Sequence, residues 1–309
     1  KATPNGTDLV QPISYDQYGR QPITYLNYAD PTNDGSYKTN ALENQAAFYQ
    51  TGLRVAHSNY PYSQNVFDNS PLNRMVEQSA PGEDWQLGSN HTTKINYRTN
   101  YTNEVKLWEI NTNTMDAFST SCYSATTLFV SEITDEQGYS SLQYKDKAGR
   151  VILIKKQIGA RSTTVERAMN TVPNTTPVYQ ERYYVYDWFG NLSVVIPPKA
   201  MELMNTSRNY NTAALTEDLV FRYKYDERKR LTQKKVPGAG WVFYIYNTLD
   251  QLVLTQDAEQ RVTQQWMFFK YDILGRVIMT GLFDALQYGI AEGGQPSAEN
   301  LFNYWKAAI

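Results

Sequence analysis

Short runs in which apolar and aromatic residues alternate with polar ones cover most of the chain, and Gly- or Pro-containing turns separate them. Alternation with period two marks half-buried strands, and glycine turns between such strands predict antiparallel hairpins. The clearest pairs are Ser141-Leu142-Gln143-Tyr144 with Arg150 to Gln157, and Tyr183-Tyr184-Val185-Tyr186 with Leu192-Ser193-Val194-Val195-Ile196. Leu9 to Tyr28 predicts a hairpin, with Val10 and Ile13-Ser14-Tyr15 on one side of a turn at Asp16 to Gly19 and Pro22-Ile23-Thr24-Tyr25 on the other. Further strands are expected at Lys94 to Tyr97, Glu104 to Ile110 and Leu128-Phe129-Val130, and the pattern is tightest from Val220 to Gly281. Ile158 to Pro177 is polar and holds Gly159 and Pro173, so it is expected to be an exposed excursion.

Helical spacing interrupts the strands in a few places. Asn40 as N-cap, with Glu43 at the capping-box position, predicts a helix through Tyr49. After the stop at Pro197-Pro198, a helix is expected from Lys199 to Met204 and a shorter one near Thr212 to Leu219. Ser297 opens an apolar helical spacing that runs to Trp305.

The hairpin turns share a motif of aromatic, Asp, two variable residues, Gly, Arg and an apolar residue. It stands as Tyr271-Asp272-Ile273-Leu274-Gly275-Arg276-Val277, as Tyr15-Asp16-Gln17-Tyr18-Gly19-Arg20, and as Tyr186-Asp187-Trp188-Phe189-Gly190-Asn191. With Lys145 inserted it is Tyr144-Lys145-Asp146-Lys147-Ala148-Gly149-Arg150, and looser copies begin at Phe67-Asp68, Tyr225-Asp226 (with Arg230) and Tyr246-Asn247. The tyrosine ends a strand, the Asp accepts backbone N–H bonds of the turn, and Gly supplies the positive φ. The arginine fork can reach back to the carboxylate while its stem covers a neighbouring ring. A longer register links two copies: Arg74 to Pro81 and Arg230 to Pro237 are both seven residues, and Pro81-Gly82 to Trp85 and Pro237-Gly238 to Trp241 are both four from the proline. One unit is therefore read as strand, Asp-Gly turn, strand, Pro-Gly turn and a Trp-led strand.

At these residues the chain resembles the Rhs or YD-repeat proteins of bacteria, whose animal relatives are the teneurins. The resemblance extends from Tyr15 to Gly281. The opening part, from Val10 to Tyr28 and from Ser70-Pro71-Leu72-Asn73-Arg74 to Trp85, resembles the domain that begins Rhs proteins of the Bacteroidetes type. The resemblance implies a ribbon of hairpins wound into a spiral shell that encloses, or presents, a C-terminal toxin or effector domain. It also implies a secreted or surface location on a bacterium, with further repeats and that effector domain, all parts of one longer protein, as partners. The family's enclosing shells end in an autoproteolytic Asp-Pro-x-Gly-type core. Here the only Asp-Pro is Asp30-Pro31, followed by Thr32-Asn33, so no protease activity carries over.

Composition narrows the alternatives. The 25 Tyr exceed ordinary globular usage while charged residues are only 19% of the chain. A net charge of −2 gives no basic footprint for nucleic acid, and Arg228-Lys229-Arg230 to Lys234-Lys235 is read as a solvated strand face. Cys122 is alone, His57 and His91 lie outside any metal-ligand spacing, and no apolar run is long enough for a membrane span. No cofactor, metal or catalytic residue is therefore assigned. A glycosidase would need paired carboxylates, but Asp16, Asp146, Asp187, Asp226 and Asp272 all occupy the same turn position, which is a structural pattern. A surface adhesion or carbohydrate-binding module remains the alternative, with a cell-surface protein or glycan as its partner.

The resulting expectation is an all-β fold: repeated antiparallel hairpins in one curved, spiralling sheet, an open YD-repeat shell fragment with a few short inserted helices. The sheet body is expected over 1–281, with helical insertions at 39–50 and 199–219, and a linker and C-terminal helix over 282–309. The sheet is expected to be open at its C-terminal end, its edge near Trp266 to Met279 covered by the terminal helix, a further segment or a neighbouring molecule. Asp272→Ala and Arg276→Ala are each expected to destabilise by about 1 kcal/mol or more if the turn bonds are buried.

Overall fold

The computed structural model describes residues 6–284 apart from 33, 112, 165–172 and 215–218. The first elements are β1 (Asp8–Val10), β2 (Ile23–Tyr25), β3 (Tyr28–Asp30), helix α1 (Ala41–Thr51), β4 (Tyr62–Phe67), β5 (Met75–Gln78) and β6 (Thr93–Thr99). Next come β7 (Lys106–Asn111), β8 (Asp116–Cys122), β9 (Phe129–Thr134), β10 (Ser140–Lys145), β11 (Val151–Thr164), β12 (Pro173–Tyr186) and β13 (Leu192–Ile196). The last are α2 (Pro198–Ser207), β14 (Phe221–Tyr225), β15 (Leu231–Val236), β16 (Gly240–Tyr246), β17 (Leu252–Gln256), α3 (Ala258–Val262), β18 (Gln265–Tyr271) and β19 (Val277–Asp284). Fifteen strands hydrogen-bond in one sheet, from β19 back through β9 in reverse chain order and then β6, β5, β4 and β2. The pairs β1–β3 and β7–β8 form two small sheets. The protein is mostly β, with few helices, and its large antiparallel sheet is open, because its end strands β2 and β19 do not pair with each other.

The chain divides into two compact units. One comprises Lys1–Asn100, Thr126–Gly149 and Ile154–Gln180. The other comprises Tyr101–Ala125, Arg150–Leu153 and Glu181–Ile309.

In the first unit, Leu128 and Val130 on β9 and its approach, and Leu142 and Tyr144 on β10, are two residues apart and all buried, as the strand period requires. The Asn100 carboxamide accepts N–H bonds from Thr127 and Leu128 at 3.0 and 2.8 Å and so fixes the entry to β9. Helix α1 rests on β3 through Phe48, 6.2 Å from the Tyr28 ring, and buried Gln45 donates to the Pro61 carbonyl at 2.7 Å. Asn40 sits at the helix start, but its side chain makes no capping bond, because its backbone (φ −104°, ψ 32°) lies outside the extended conformation a capping side chain needs. The opening hairpin also differs from its expected form. Val10 pairs with Tyr28 in the β1–β3 sheet, and only Ile13 bridges Thr24 across the Asp16 turn, since β2 makes its full pairing with β4.

Of the segment from Ile158 to Pro177, the described residues 158–164 and 173–177 are strand rather than irregular excursion, belonging to the paired strands β11 and β12, and Ile158 is exposed as expected. Ile158, Thr163, Thr164, Thr175 and Thr176 are β-branched, and such residues favour extended backbone.

In the second unit, four hairpins follow one another, β12–β13, β14–β15, β16–β17 and β18–β19. Their inward positions form a cluster of Ile245, Leu254, Trp266 and Phe283, in which Ile245 pairs with Leu254 and Trp266 with Phe283 in register. Helix α2 begins at Pro198, where the missing N–H is harmless, and buries Ala200, Met201 and Met204. Beyond it, a single 3-10 turn covers Thr212–Ala214, and Leu215 lies outside the described residues, as does the helix expected at Ser297 to Trp305. The small β7–β8 sheet is tied to β14 by Asp116, whose Oδ1 accepts from the Arg222 guanidinium at 2.6 Å and from the Thr212 hydroxyl at 3.2 Å.

Two expectations fail in instructive ways. Lys235 is only 2% exposed instead of lying on a solvated face, because its strand position faces inward between Arg222 and Trp241, and its ammonium stands 6.0 Å from the Trp241 ring. The Trp-led strand holds at Trp241, the second residue of β16, but Trp85 ends a 3-10 turn eight residues before β6. Gly240 takes φ +71° to close the second turn, whereas Asp84 stands at that register position in the first, so the tight reversal is not made there.

Candidate functional site

Among the described residues, the repeated turns bring the same charged groups together in both units. Asp226 shows the geometry: its Oδ1 accepts the Arg228 and Arg230 N–H groups, each at 2.9 Å, and its Oδ2 accepts Arg230 Nε at 2.7 Å. The same three bonds occur at Asp16 from Tyr18 and Arg20 (2.8, 2.9 and 2.7 Å) and at Asp272 from Leu274 and Arg276 (2.9, 2.8 and 2.7 Å). At Asp187 the side chain of Asn191 takes the arginine's place at 3.0 Å. Asp68 closes a loop two residues longer, with Arg74 Nε at 2.8 Å. Asp146 accepts the Ala148 N–H at 2.9 Å, and Asn247 accepts from Leu249 and Gln251 at 3.0 Å. The backbone closes the same way in each compact copy, as when the Asp272 N–H donates to Arg276 O and the Gly275 N–H to Asp272 O. Gly19, Gly149, Gly190 and Gly275 all take positive φ at the motif's glycine position, three residues after the Asp.

Hydrogen bonding sets the carboxylate chemistry. Burial is the largest influence on Asp16, Asp68 and Asp226 and pushes each upward, but the bonds from Arg20, from Ser70 and Arg74, and from Arg230 outweigh it. All three therefore stand below the ordinary carboxylate value. The Arg276 N–H bond is the largest influence on Asp272 and takes it in the same direction. Ionised carboxylates of this kind cannot serve as general acids at neutral pH.

Successive turns interlock. The guanidinium of one copy lies against the aromatic ring that opens another, Arg20 over Phe67 at 4.6 Å, Arg150 over Tyr186 at 4.9 Å and Arg230 over Tyr246 at 5.0 Å, while Arg74 lies over Tyr97 of β6 at 4.7 Å. The tyrosine hydroxyl then donates to the carbonyl that follows the previous copy's arginine position. Tyr186 reaches Val151 O at 3.1 Å, Tyr225 reaches Leu192 O at 3.0 Å, and Tyr271 reaches Leu252 O at 2.8 Å. Arg230 further donates to Asn247 O at 3.1 Å and Asp250 Oδ1 at 2.7 Å in the next turn. Tyr15, by contrast, is 65% exposed, and Tyr144 is fully buried with Lys155 5.9 Å from its ring.

One copy escaped the sequence reading. The Asp135 Oδ1 accepts the N–H groups of Gln137 and Tyr139 at 3.0 and 2.8 Å, and Gly138 takes φ +86°. Thr134 and Tyr139 replace the leading aromatic and the arginine there, leaving Asp-x-x-Gly as the only signal. The Pro-Gly turns bind no common partner. Trp85 stacks on His91 at 5.5 Å, while Trp241 meets Lys224 at 5.6 Å. Among the described residues no group of three His, Cys, Asp or Glu side chains could hold a metal ion, and no helix is long and apolar enough to cross a membrane.

Residues 1–99 match the family described as domain of unknown function DUF6443. The chain is 23% identical over 264 residues to salivary gland surface protein 1 of Aedes aegypti, covering 83% of this chain and 7% of that protein. Among solved structures it is similar to the crystal structures of TcdB2-TccC3-TEV (TM-score 0.53) and TcdB2-TccC3-Cdc42 (TM-score 0.52). Each is 17% identical, and the match covers 88% of this chain and 10% of the other. The chain thus spans a tenth or less of the length of these relatives, and the structural likeness is one of fold: a large, mostly antiparallel hairpin sheet.

Proposed function

We propose that the chain is a non-catalytic scaffold, a run of interlocked Rhs-type hairpins belonging to a shell that encloses or presents a C-terminal effector domain. The observation that carries this reading is the use of each motif carboxylate by its own turn. At Asp16, Asp226 and Asp272, Oδ1 accepts two N–H groups while Oδ2 accepts an arginine, so the charge serves to hold the loop. The fold shared with the TcdB2-TccC3 structures supports a shell, and the surface protein of Aedes aegypti supports a secreted or surface location. The bacterial origin, the Bacteroidetes-type assignment and the kinship with teneurins belong to the same proposal.

The test uses the whole natural protein that contains this segment. Under limited proteolysis the C-terminal domain should resist cleavage while the hairpins are intact and become sensitive in an Arg230→Ala, Asp226→Ala variant. Equal sensitivity of wild type and variant would sink enclosure, and turnover of any polysaccharide in a hydrolysis screen would sink the non-catalytic reading. One observation favours a second reading, sugar binding at the loop tips: Trp188 is 91% exposed and Phe189 76%, side by side at one turn. Glycan capture lost in Trp188→Ala would establish it.

A further inference from the structure

In the second unit the turns of the β12–β13 and β14–β15 hairpins stand side by side at one end of the sheet. The residue three places after the motif Asp has to turn left-handed, and in the first of these turns it is Gly190, at φ +80°. In the second it is Lys229, at φ +62°. The β16–β17 turn has Asp250 there, a short polar residue that tolerates the conformation, and the β18–β19 turn has Gly275. A lysine has a Cβ and a long stem, gains no local bond from the left-handed backbone, and makes a weaker turn than glycine would. Backbone held in such a conformation by a residue unsuited to it points to a use for the side chain.

The Lys229 side chain reaches across to the neighbouring turn, where its ammonium donates to the Phe189 carbonyl at 3.3 Å. That is its one hydrogen bond among the described residues, and two of its three N–H groups remain. Beside it are Trp188 and Phe189, 91% and 76% exposed. The other charges of the two turns are largely engaged. Asp187 accepts the Phe189 and Asn191 N–H groups and the Asn191 side chain, Arg228 pairs with Asp250 at 2.6 Å, and Arg230 pairs with Asp226 and Asp250, each at 2.7 Å. Lys229 is thus the cation of these turns that has no carboxylate partner among the described residues. Glu227 is exposed in the same turn, so the patch as a whole is not basic. A single ammonium beside two aromatic rings suits one acidic group on a ring-shaped ligand better than a densely anionic lipid surface, which recruits clustered basic residues.

We infer that Trp188, Phe189 and Lys229 form one binding site for an acidic sugar, a pyranose that carries a carboxylate or a sulfate. The aromatic pair takes the apolar face of the sugar ring, and the ammonium donates charge-assisted hydrogen bonds to the acidic group. The site is built from two turns about forty residues apart in the chain, so it exists only in the folded sheet. It rests on the sugar-binding reading of this turn and adds the acidic group of the ligand and the residue that recognises it.

The test is calorimetric titration of the whole natural protein that contains this segment. The probes are oligogalacturonate, sialyllactose and lactose 3′-sulfate, set against methyl-esterified oligogalacturonate and lactose. At least one acidic probe should bind about tenfold or more tighter than its neutral counterpart, with an affinity that falls as salt rises. Lys229→Gly should abolish that preference without lowering the urea midpoint, because glycine enters the left-handed turn more readily. Trp188→Ala should weaken acidic and neutral sugars alike. Equal binding of acidic and neutral probes by wild type would overturn the inference and leave the sugar reading standing, whereas no binding of any probe would sink both. Loss of the preference in Lys229→Gly together with a lowered urea midpoint would make the lysine structural and overturn the inference. Binding to phosphatidylserine–phosphatidylcholine vesicles with no sugar bound would overturn it in favour of a membrane surface.

Discussion

The interlock makes Arg230 and Arg276, which hold the same motif position, unequal, and their alanine variants measure the difference. Arg230 donates to Asp226 at 2.7 Å, to Asp250 at 2.7 Å and to the Asn247 carbonyl at 3.1 Å, and it stacks on Tyr246 with one quarter of its side chain exposed. A hydrogen bond to a charged group contributes roughly 1.5–3 kcal/mol when shielded, and a cation–π contact about 0.5–1 kcal/mol. These do not add, and partial exposure screens the ion pairs, so Arg230→Ala is expected to cost about 2 kcal/mol. Arg276 has the Asp272 bonds alone and is 74% exposed, so the burial on which the sequence-based figure depended is missing on the arginine side. Arg276→Ala is expected to change stability by no more than about 0.5 kcal/mol. Arg230→Lys keeps the charge but not the fork, and should recover less than half of the loss. Urea unfolding gives the totals, and because repeat arrays can unfold in parts, amide exchange in β14 to β17 should report the loss locally. Equal costs at the two arginines, or no cost at Arg230, would refute the interlock as a source of stability.

Three further outcomes are expected. Tyr225→Phe and Tyr271→Phe, which remove the hydroxyls bonded to Leu192 and Leu252, should each lower the unfolding free energy by about 1 kcal/mol while leaving circular dichroism unchanged. Gly190→Ala should destabilise more than Gly149→Ala in thermal melts: both need positive φ, but only at Gly190 would the added Cβ lie 3.1 Å from a neighbour, Arg150 Nη1. Asp16, Asp68, Asp226 and Asp272 have folded values below the unfolded one, so their contribution is present above the unfolded value near pH 4 and lost as pH falls through the folded values. Urea midpoints should therefore hold steady from neutral pH to about 5 and fall below about 4, with a shallower fall in Asp226→Asn; a midpoint that rises on acidification would contradict the assignment.

The sequence by itself determined the local chemistry of the hairpins. Period-two alternation set the strands, and the Asp-to-arginine spacing of four residues set the turns, because both are fixed by contacts between residues close in the chain. That is why Asp16, Asp187, Asp226 and Asp272 were legible as one recurring device, and why the copy at Asp135, stripped of its aromatic and its arginine, was not. Partner choice between strands was decided only by tertiary structure. Val10 lies close in sequence to the Asp16 turn yet pairs with Tyr28, and Lys235 reads as a surface lysine yet is buried beside Trp241. The arginine of one turn meeting the tyrosine of the next depends on strands separated by sixteen residues at Arg230 and Tyr246 and by thirty-six at Arg150 and Tyr186. No fixed spacing in the chain encodes such a contact, since the length of the intervening insertion is free while the distance between neighbouring strands is not.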